Sequence, residues 1–216
     1  WVSTFHSACL RILRRHAGLL GYSSSFTVYD DQDSRSLIKS ILKEMGLSEK
    51  KYSPGMFART IDEAKNSFIS VEEYKKESRS PDGFIAAQVF ERYQQGLMQA
   101  NAMDFGDLLV NAVALFQQFP AVLAHYQQAI RFVLVDEFQD TNLVQYMFVS
   151  LLTKPHRNLL VVGDDDQSIY SFRGATIRNI LEFEKEFEGT KVVKLEQNYR
   201  STANILEAAH AIISRN

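Results

Sequence analysis

From Thr4 to Arg15 apolar residues return every three or four positions, with Phe5, Ala8, Cys9, Ile12 and Leu13 on one face and Arg11, Arg14 and Arg15 on another. That period predicts an amphipathic helix, which Gly18 and Gly21 then end. Phe26-Thr27-Val28-Tyr29-Asp30 is short and β-prone. It leads into Asp-rich helix-start chemistry and the apolar spacing Leu37, Ile38, Ile41, Leu42, Met45 before Gly46. Ser53-Pro54 reads as an N-cap followed by proline at the first helical position, and Ser70-Val71-Glu72-Glu73 as a capping box. Residues 82 to 102 and 105 to 128 continue as helices, with Asp104 a cap between them and Pro120 a boundary. Nearly everything from about 33 to 128 is therefore predicted helical. Its aromatics Phe57, Phe68, Phe84, Phe90, Tyr93 and Phe116 lie at helical spacing and are expected in the core.

After Arg131 the pattern changes to strand, helix, strand, helix, strand, helix. The strands are predicted at 131 to 136, 158 to 163 and 191 to 196, the helices at 143 to 153, 177 to 187 and 203 to 215. Such alternation implies a parallel sheet with right-handed crossovers. The predicted fold is an α/β layer interrupted by a helical insertion.

Two of these strands end in acids. Val133-Leu134-Val135 runs into Asp136-Glu137-Phe138-Gln139-Asp140, and Leu159-Leu160-Val161-Val162 runs through Gly163 into Asp164-Asp165-Asp166. Ligands of parallel sheets bind at the carboxyl ends of the strands. Like charges about 4 Å apart repel by roughly 4 kcal/mol at an effective dielectric near 20, so converging acids need a cation or protons. Magnesium bridging a nucleotide's phosphates meets that need. The bland alternative is caps and solvated loop charges, and Asp140, just ahead of Thr141-Asn142 and a helical stretch, fits a cap equally well. A cap does not ask for two carboxylates directly on the end of a hydrophobic strand, which leaves Asp136 and Glu137 as the chemical pair.

With 216 residues the chain is long enough for one domain or two, and its apolar content of 45% is that of a globular protein. A net charge of −2 argues against a dedicated basic nucleic-acid binder, though a motor that steps along a strand needs only a few placed contacts. The single cysteine, Cys9, excludes an internal disulfide and a cysteine-rich zinc site and fits a reducing compartment. No apolar stretch approaches a membrane span. Trp1 at the start and the helical look of 203 to 216 suggest an internal fragment.

Five blocks together resemble the UvrD/Rep/PcrA type of superfamily 1 DNA helicase. They are Thr4-Phe5-His6-Ser7, Met103-Asp104-Phe105, Val135 to Thr141, Val162 to Ala175, and Leu195 to Thr202. The resemblance implies RecA-like motor domains that bind ATP between them and couple its hydrolysis to 3′–5′ movement on single-stranded DNA and unwinding of 3′-tailed duplex, in repair or replication. It divides the chain into a first part of motor domain 1 (1–32), a helical insertion subdomain (33–129), the second part of motor domain 1 (130–196) and the start of motor domain 2 (197–216). By position it makes Asp136 the magnesium ligand, Glu137 the general base that activates water, and Gln167 the γ-phosphate sensor. Tyr199 would stack on adenine and Arg200 would reach the γ-phosphate as an arginine finger. Tyr170, Phe172 and Arg173 would hold DNA bases and phosphate, with Thr4 and His6 near the DNA backbone. Many bacterial relatives carry tryptophan where Phe172 stands, and phenylalanine offers less stacking area. The implied location is the bacterial cytoplasm or another reducing, DNA-containing compartment.

A Gly-x-x-x-x-Gly-Lys-[Ser/Thr] loop is absent, and Gly189-Thr190-Lys191 has the wrong order to replace it. The chain alone is therefore expected to be inactive. Two rivals remain: a metal-dependent nuclease using Asp136, Glu137, Asp140, Asp164 and Asp166, and a non-enzymatic DNA-binding module. Gln167 through Arg173 has no role in the first, and Glu137 and Arg200 have none in the second.

Overall fold

A computed structural model of the chain describes residues 1–168, 175, 178–181 and 183–214. Cap chemistry decides where most helices begin. Thr4 caps α1 (Phe5–His16), and a 3-10 turn, Ala17–Leu20, carries the chain to Gly21 at φ 86°. Asp30 closes a capping box on α2 (Asp31–Glu44), Ser53 caps α3 (Pro54–Asn66) ahead of its first-turn proline, and Ser70 with Glu73 boxes α4 (Val71–Glu77). Next come α5 (Pro81–Gln99), α6 (Phe105–Gln118), boxed by Asp104 and Asp107, and α7 (Pro120–Ala129). After these, β3 (Val133–Val135), α8 (Leu143–Thr153) and β4 (Leu159–Val161) alternate as expected, before α9 (Arg178–Leu181), α10 (Phe183–Glu186) and α11 (Ala203–Ile213).

The result is a mixed α/β fold with short parallel ladders and many helices. It differs from expectation in three places. The helix predicted to reach residue 102 stops at Gln99, and Ala102–Asp104 forms a strand, β2, parallel to β1 (Thr27–Tyr29) in the register Val28↔Met103. Three residues are too few to show a period of two, so only the distant partner strand decides the conformation. Second, β3 and β4 pair in parallel, but 191 to 196 joins no ladder, and Val192, Val193 and Leu195 are exposed. Strand propensity is present there, yet among the described residues no sheet edge meets its backbone N–H and C=O groups. Third, Phe84 is 51% exposed in the first turn of α5, outside the buried stripe Ala86, Val89, Phe90, Tyr93 and Leu97. Phe57, Phe90, Tyr93 and Phe116 are buried as expected, and Phe68 is half-buried.

Three apolar clusters hold these elements. α1, α6, α7 and α8 share one, with Met103 at its edge. α2, α3 and α5 share the second, and Val135, Phe138, Val149 and Phe183 form a third behind the acid-bearing strand ends. Phe5 packs against both the first and the third. Among the described residues no single helix is long and apolar enough to cross a membrane, and the apolar pair α6 and α7 is bent by 105°.

An ionic knot ties the second cluster to the first. Lys65, at the end of α3 and only 3% exposed, donates to Asp104 Oδ2 and to Asp107 Oδ1, both at 2.7 Å. Tyr93 donates to the same Asp104 oxygen at 2.9 Å and Gln94 to Asp107 Oδ1 at 3.1 Å. Burial would discharge Lys65, but the two carboxylates outweigh it and keep its pKa above the ordinary value. Burial and then the Asp104 charge push the Asp107 carboxyl up to about 6, with Lys65 pulling against them. Next door, Asn66 accepts a hydrogen bond from Asn142 Nδ2 at 2.8 Å, so the end of α3 also touches the start of α8.

Candidate functional site

The two acid-bearing loops leave their strands side by side. Beyond the register Val135↔Val161 the pairing continues: Val162 N donates to Val135 O at 2.8 Å, and Phe138 N to Val162 O at 2.9 Å. Phe138 is fully buried, which turns its neighbours Asp136 and Glu137 outward into solvent. Asp136 Oδ1 accepts the Glu137 N–H at 3.0 Å. Glu137 sits at φ 52°, ψ 43°, a left-handed backbone that costs a non-glycine residue about 1–3 kcal/mol and tends to mark functional sites.

Asp140 is not the helix cap that its position allowed. Asn142 caps α8 in a reciprocal box with Gln145, and Asp140 closes a 3-10 turn by donating its backbone N–H to Glu137 O at 3.0 Å. Its Oδ1 is buried with no hydrogen-bond partner among the described residues. Burial, then the Glu137 charge, raises its pKa. Thr141 is fixed behind it, its hydroxyl donating to Phe138 O at 2.7 Å while Asn179 donates to Thr141 O at 3.0 Å.

In the second loop Asp164 is the organiser. Its Oδ1 accepts the Asp166 N–H at 3.1 Å and its Oδ2 accepts the Gln167 side-chain amide at 2.6 Å. Gln167 is exposed but is not a free loop glutamine. A residue without an assigned role joins the two loops. Gln139, 1% exposed, donates from Nε2 to Glu137 Oε2 at 2.8 Å and accepts the Asp164 N–H at Oε1 at 3.1 Å. Gly163 is needed for this approach rather than for a left-handed turn, since a Cβ there would lie 2.6 Å from Gln139 Oε1 and 2.8 Å from Ile180 Cδ1. Among the described residues no three His, Cys, Asp or Glu side chains are placed to hold a metal together.

The other expected site residues are not gathered at these loops. Tyr199 is 92% exposed, and among the described residues the Arg200 side chain makes no hydrogen bond or ion pair. Asn198 Oδ1 accepts the N–H groups of Arg200 and Ser201, both at 2.9 Å, which makes the segment a turn ahead of α11. Thr4 Oγ1 accepts the Ser7 N–H at 3.3 Å as a helix cap. His6 meets Phe105 edge-on at 5.8 Å, and burial lowers its pKa, so at neutral pH it offers a neutral imidazole rather than a cation. Phe105, half-exposed at the start of α6, was not singled out from sequence, where it reads only as part of the Met103-Asp104-Phe105 block. Tyr170, Phe172 and Arg173 lie outside the described residues.

A family model described as the UvrD/REP helicase N-terminal domain matches residues 1–188. The chain belongs to that family. Similar helicases include an ATP-dependent DNA helicase PcrA of Staphylococcus epidermidis, 45% identical over 216 residues, and an ATP-dependent DNA helicase UvrD1 of Mycobacterium leprae, 47% identical over 230. All of this chain is covered in both matches, but only 30% of each relative. The chain thus spans about a third of the length of these UvrD/REP helicases.

Proposed function

We propose that the chain is the part of a longer ATP-dependent DNA helicase that carries the water-activating and coupling groups, within a 3′–5′ motor that serves DNA repair or replication in a bacterial cytoplasm. The observation that carries this reading is the bridge from Glu137 through Gln139 to Asp164 and Gln167, which links a would-be base to a would-be phosphate sensor. A nuclease has no use for that bridge, and a plain DNA-binding module has no use for a strained Glu137 at a strand end.

On this reading Glu137 takes the proton from the water that attacks the γ-phosphate, and Gln167 donates its amide to a γ-phosphate oxygen. Asp136 fits a magnesium ligand: it is exposed, among the described residues only one of its carboxylate oxygens accepts a hydrogen bond, and magnesium beside phosphates commonly takes one or two carboxylates and water. When bound, the ion would neutralise charge on the phosphates. Tyr199 and Arg200 reach adenine and the γ-phosphate from a second RecA-like domain beginning near 197; their exposure leaves them available for that. In the first RecA-like domain, the insertion subdomain is carried by the cluster of α2, α3 and α5, while α6 and α7 pack with the motor helices α1 and α8. One face of the β3–β4 ladder, with Phe132, Leu134, Leu160 and Val162 exposed, suits a further layer of the longer protein.

DNA is proposed to cross near Thr4, His6 and Phe105 and over Tyr170, Phe172 and Arg173. In the full-length helicase, Tyr170→Ala or Phe172→Ala is expected to weaken single-strand affinity by roughly 1–3 kcal/mol with the salt dependence unchanged. Arg173→Ala should instead flatten the log–log salt slope by nearly one unit. Affinity measured at several salt concentrations beside a thermal melt separates stacking from packing. A large fall in melting temperature with unchanged affinity per folded molecule rules out the stacking role of Phe172.

A further inference from the structure

We infer that Gln139 is a positioning residue that sets the Glu137 carboxylate against the Asp164–Gln167 loop and transmits the state of one to the other. The inference rests on the reading of Glu137 as general base. A buried amide is costly unless its groups are paired, and a core position of this size would be filled as well by Leu or Met. Here each end of the amide is spent on a different functional loop: Nε2 on Glu137 Oε2 at 2.8 Å, Oε1 on the Asp164 N–H at 3.1 Å. Side-chain carboxylates on solvent-facing loops ordinarily sample several rotamers. With Oε2 held, the exposed Glu137 carboxylate has fewer positions open to its other oxygen, which is what proton transfer from a water at a fixed point requires.

The linkage continues on the far side. Asp164, whose N–H is bound to Gln139, holds Gln167 through its own carboxylate at 2.6 Å. The backbone of Gly163 passes so close to Gln139 that a single added carbon would collide with Oε1. A shift of Gln167 or Asp164 on loss of a phosphate therefore displaces the Gln139 amide, and with it the base. Phe138 joins the loops only through its backbone, N–H to Val162 O at 2.9 Å, which does not touch the Glu137 carboxylate; its side chain is apolar, and among the described residues Asp140 Oδ1 makes no hydrogen bond.

The test is steady-state ATP hydrolysis by the full-length helicase carrying Gln139→Met, which keeps the length and loses both bonds, and Gln139→Glu, which keeps the acceptor toward Asp164 but sets a carboxylate against Glu137. Both are expected to lower kcat by about 10²-fold, the scale of a misplaced catalytic group, with KM for ATP within about 2-fold of the parent. Because Gln167 acts through the same path, Gln139→Met combined with Gln167→Ala should be little worse than the more damaging single change. Near-parental kcat in either folded variant, or losses that multiply in the double variant, overturn the inference. Should Gln139→Met fail to fold, Gln139→Glu and its combination with Gln167→Ala decide alone. Glu137→Gln run alongside separates the two levels: if it remains active the base assignment itself fails, and if it is inactive while the Gln139 variants are not, only the positioning role falls.

Discussion

Glu137→Gln in the full-length helicase is expected to lower ATP turnover by about 10²–10⁴-fold while ATP and single-stranded DNA still bind. The amide keeps the shape of the side chain but cannot accept the water's proton. Its bond with Gln139 can be kept, because a carboxamide oxygen accepts the Gln139 Nε2–H as the carboxylate did at 2.8 Å. Folding should therefore change little, and the loss should lie in kcat rather than in KM. Rapid-quench hydrolysis together with nucleotide and DNA binding titrations reads all three quantities. A variant with near-parental kcat would show that Glu137 is not the base.

The second large effect concerns stability. Lys65→Met removes the only cation bonded to Asp104 and Asp107 among the described residues, and breaking a buried pair from one side costs about 3–5 kcal/mol. The pH dependence has a definite sign. The Asp107 carboxyl is already raised from 3.8 to about 6 in the native protein, and removing Lys65 takes away the strongest influence holding it down, leaving mainly the Asp104 backbone N–H. The native variant then binds a proton more tightly than the unfolded chain, so its stability falls as pH rises through 6, and the deficit against the parent is largest at pH 7 and above. In the parent, Asp104 works the other way: its pKa is held below the ordinary value, so the stability it contributes is lost as pH falls. Urea unfolding of both proteins at pH 7.5 and pH 5.5 should show the gap narrowing at the lower pH. A gap that widens on acidification contradicts the roles given to these carboxylates.

Local signals carried much of this fold. Thr4, Asp30, Ser53, Ser70 and Asp104 each cap the helix that follows them, because a side-chain oxygen three residues ahead of a free N–H acts within one turn. The parallel pairing of β3 with β4 was legible from two apolar runs ending in acids. What escaped was non-local. Met103 pairs with Val28 across 75 positions, and no window around either residue contains the other. Lys65 reads from sequence as one more surface lysine on α3; only the arrival of Asp104 and Asp107 from another element makes it a buried cation. Gln139 was written inside the most informative block of the chain, yet which loop its amide would join depends on the close passage of Gly163. Conversely, 191 to 196 has the composition of a strand and forms none, since composition supplies propensity and not a partner edge.

We propose that Asp136, Glu137 and the Gln167 loop serve ATP-driven movement on DNA, not cleavage of DNA. This claim is tested most directly by following phosphate release and DNA length in the same samples of the full-length helicase and of the 216-residue chain, with magnesium, with and without ATP and single-stranded DNA. The expected result is ATP hydrolysis by the full-length protein that rises when single-stranded DNA is added, intact DNA throughout, and no turnover by the 216-residue chain, which lacks the Gly-Lys-[Ser/Thr] phosphate loop. Magnesium-dependent shortening of the DNA in the absence of ATP, abolished by Glu137→Gln, would assign the same carboxylates to a nuclease and contradict the claim.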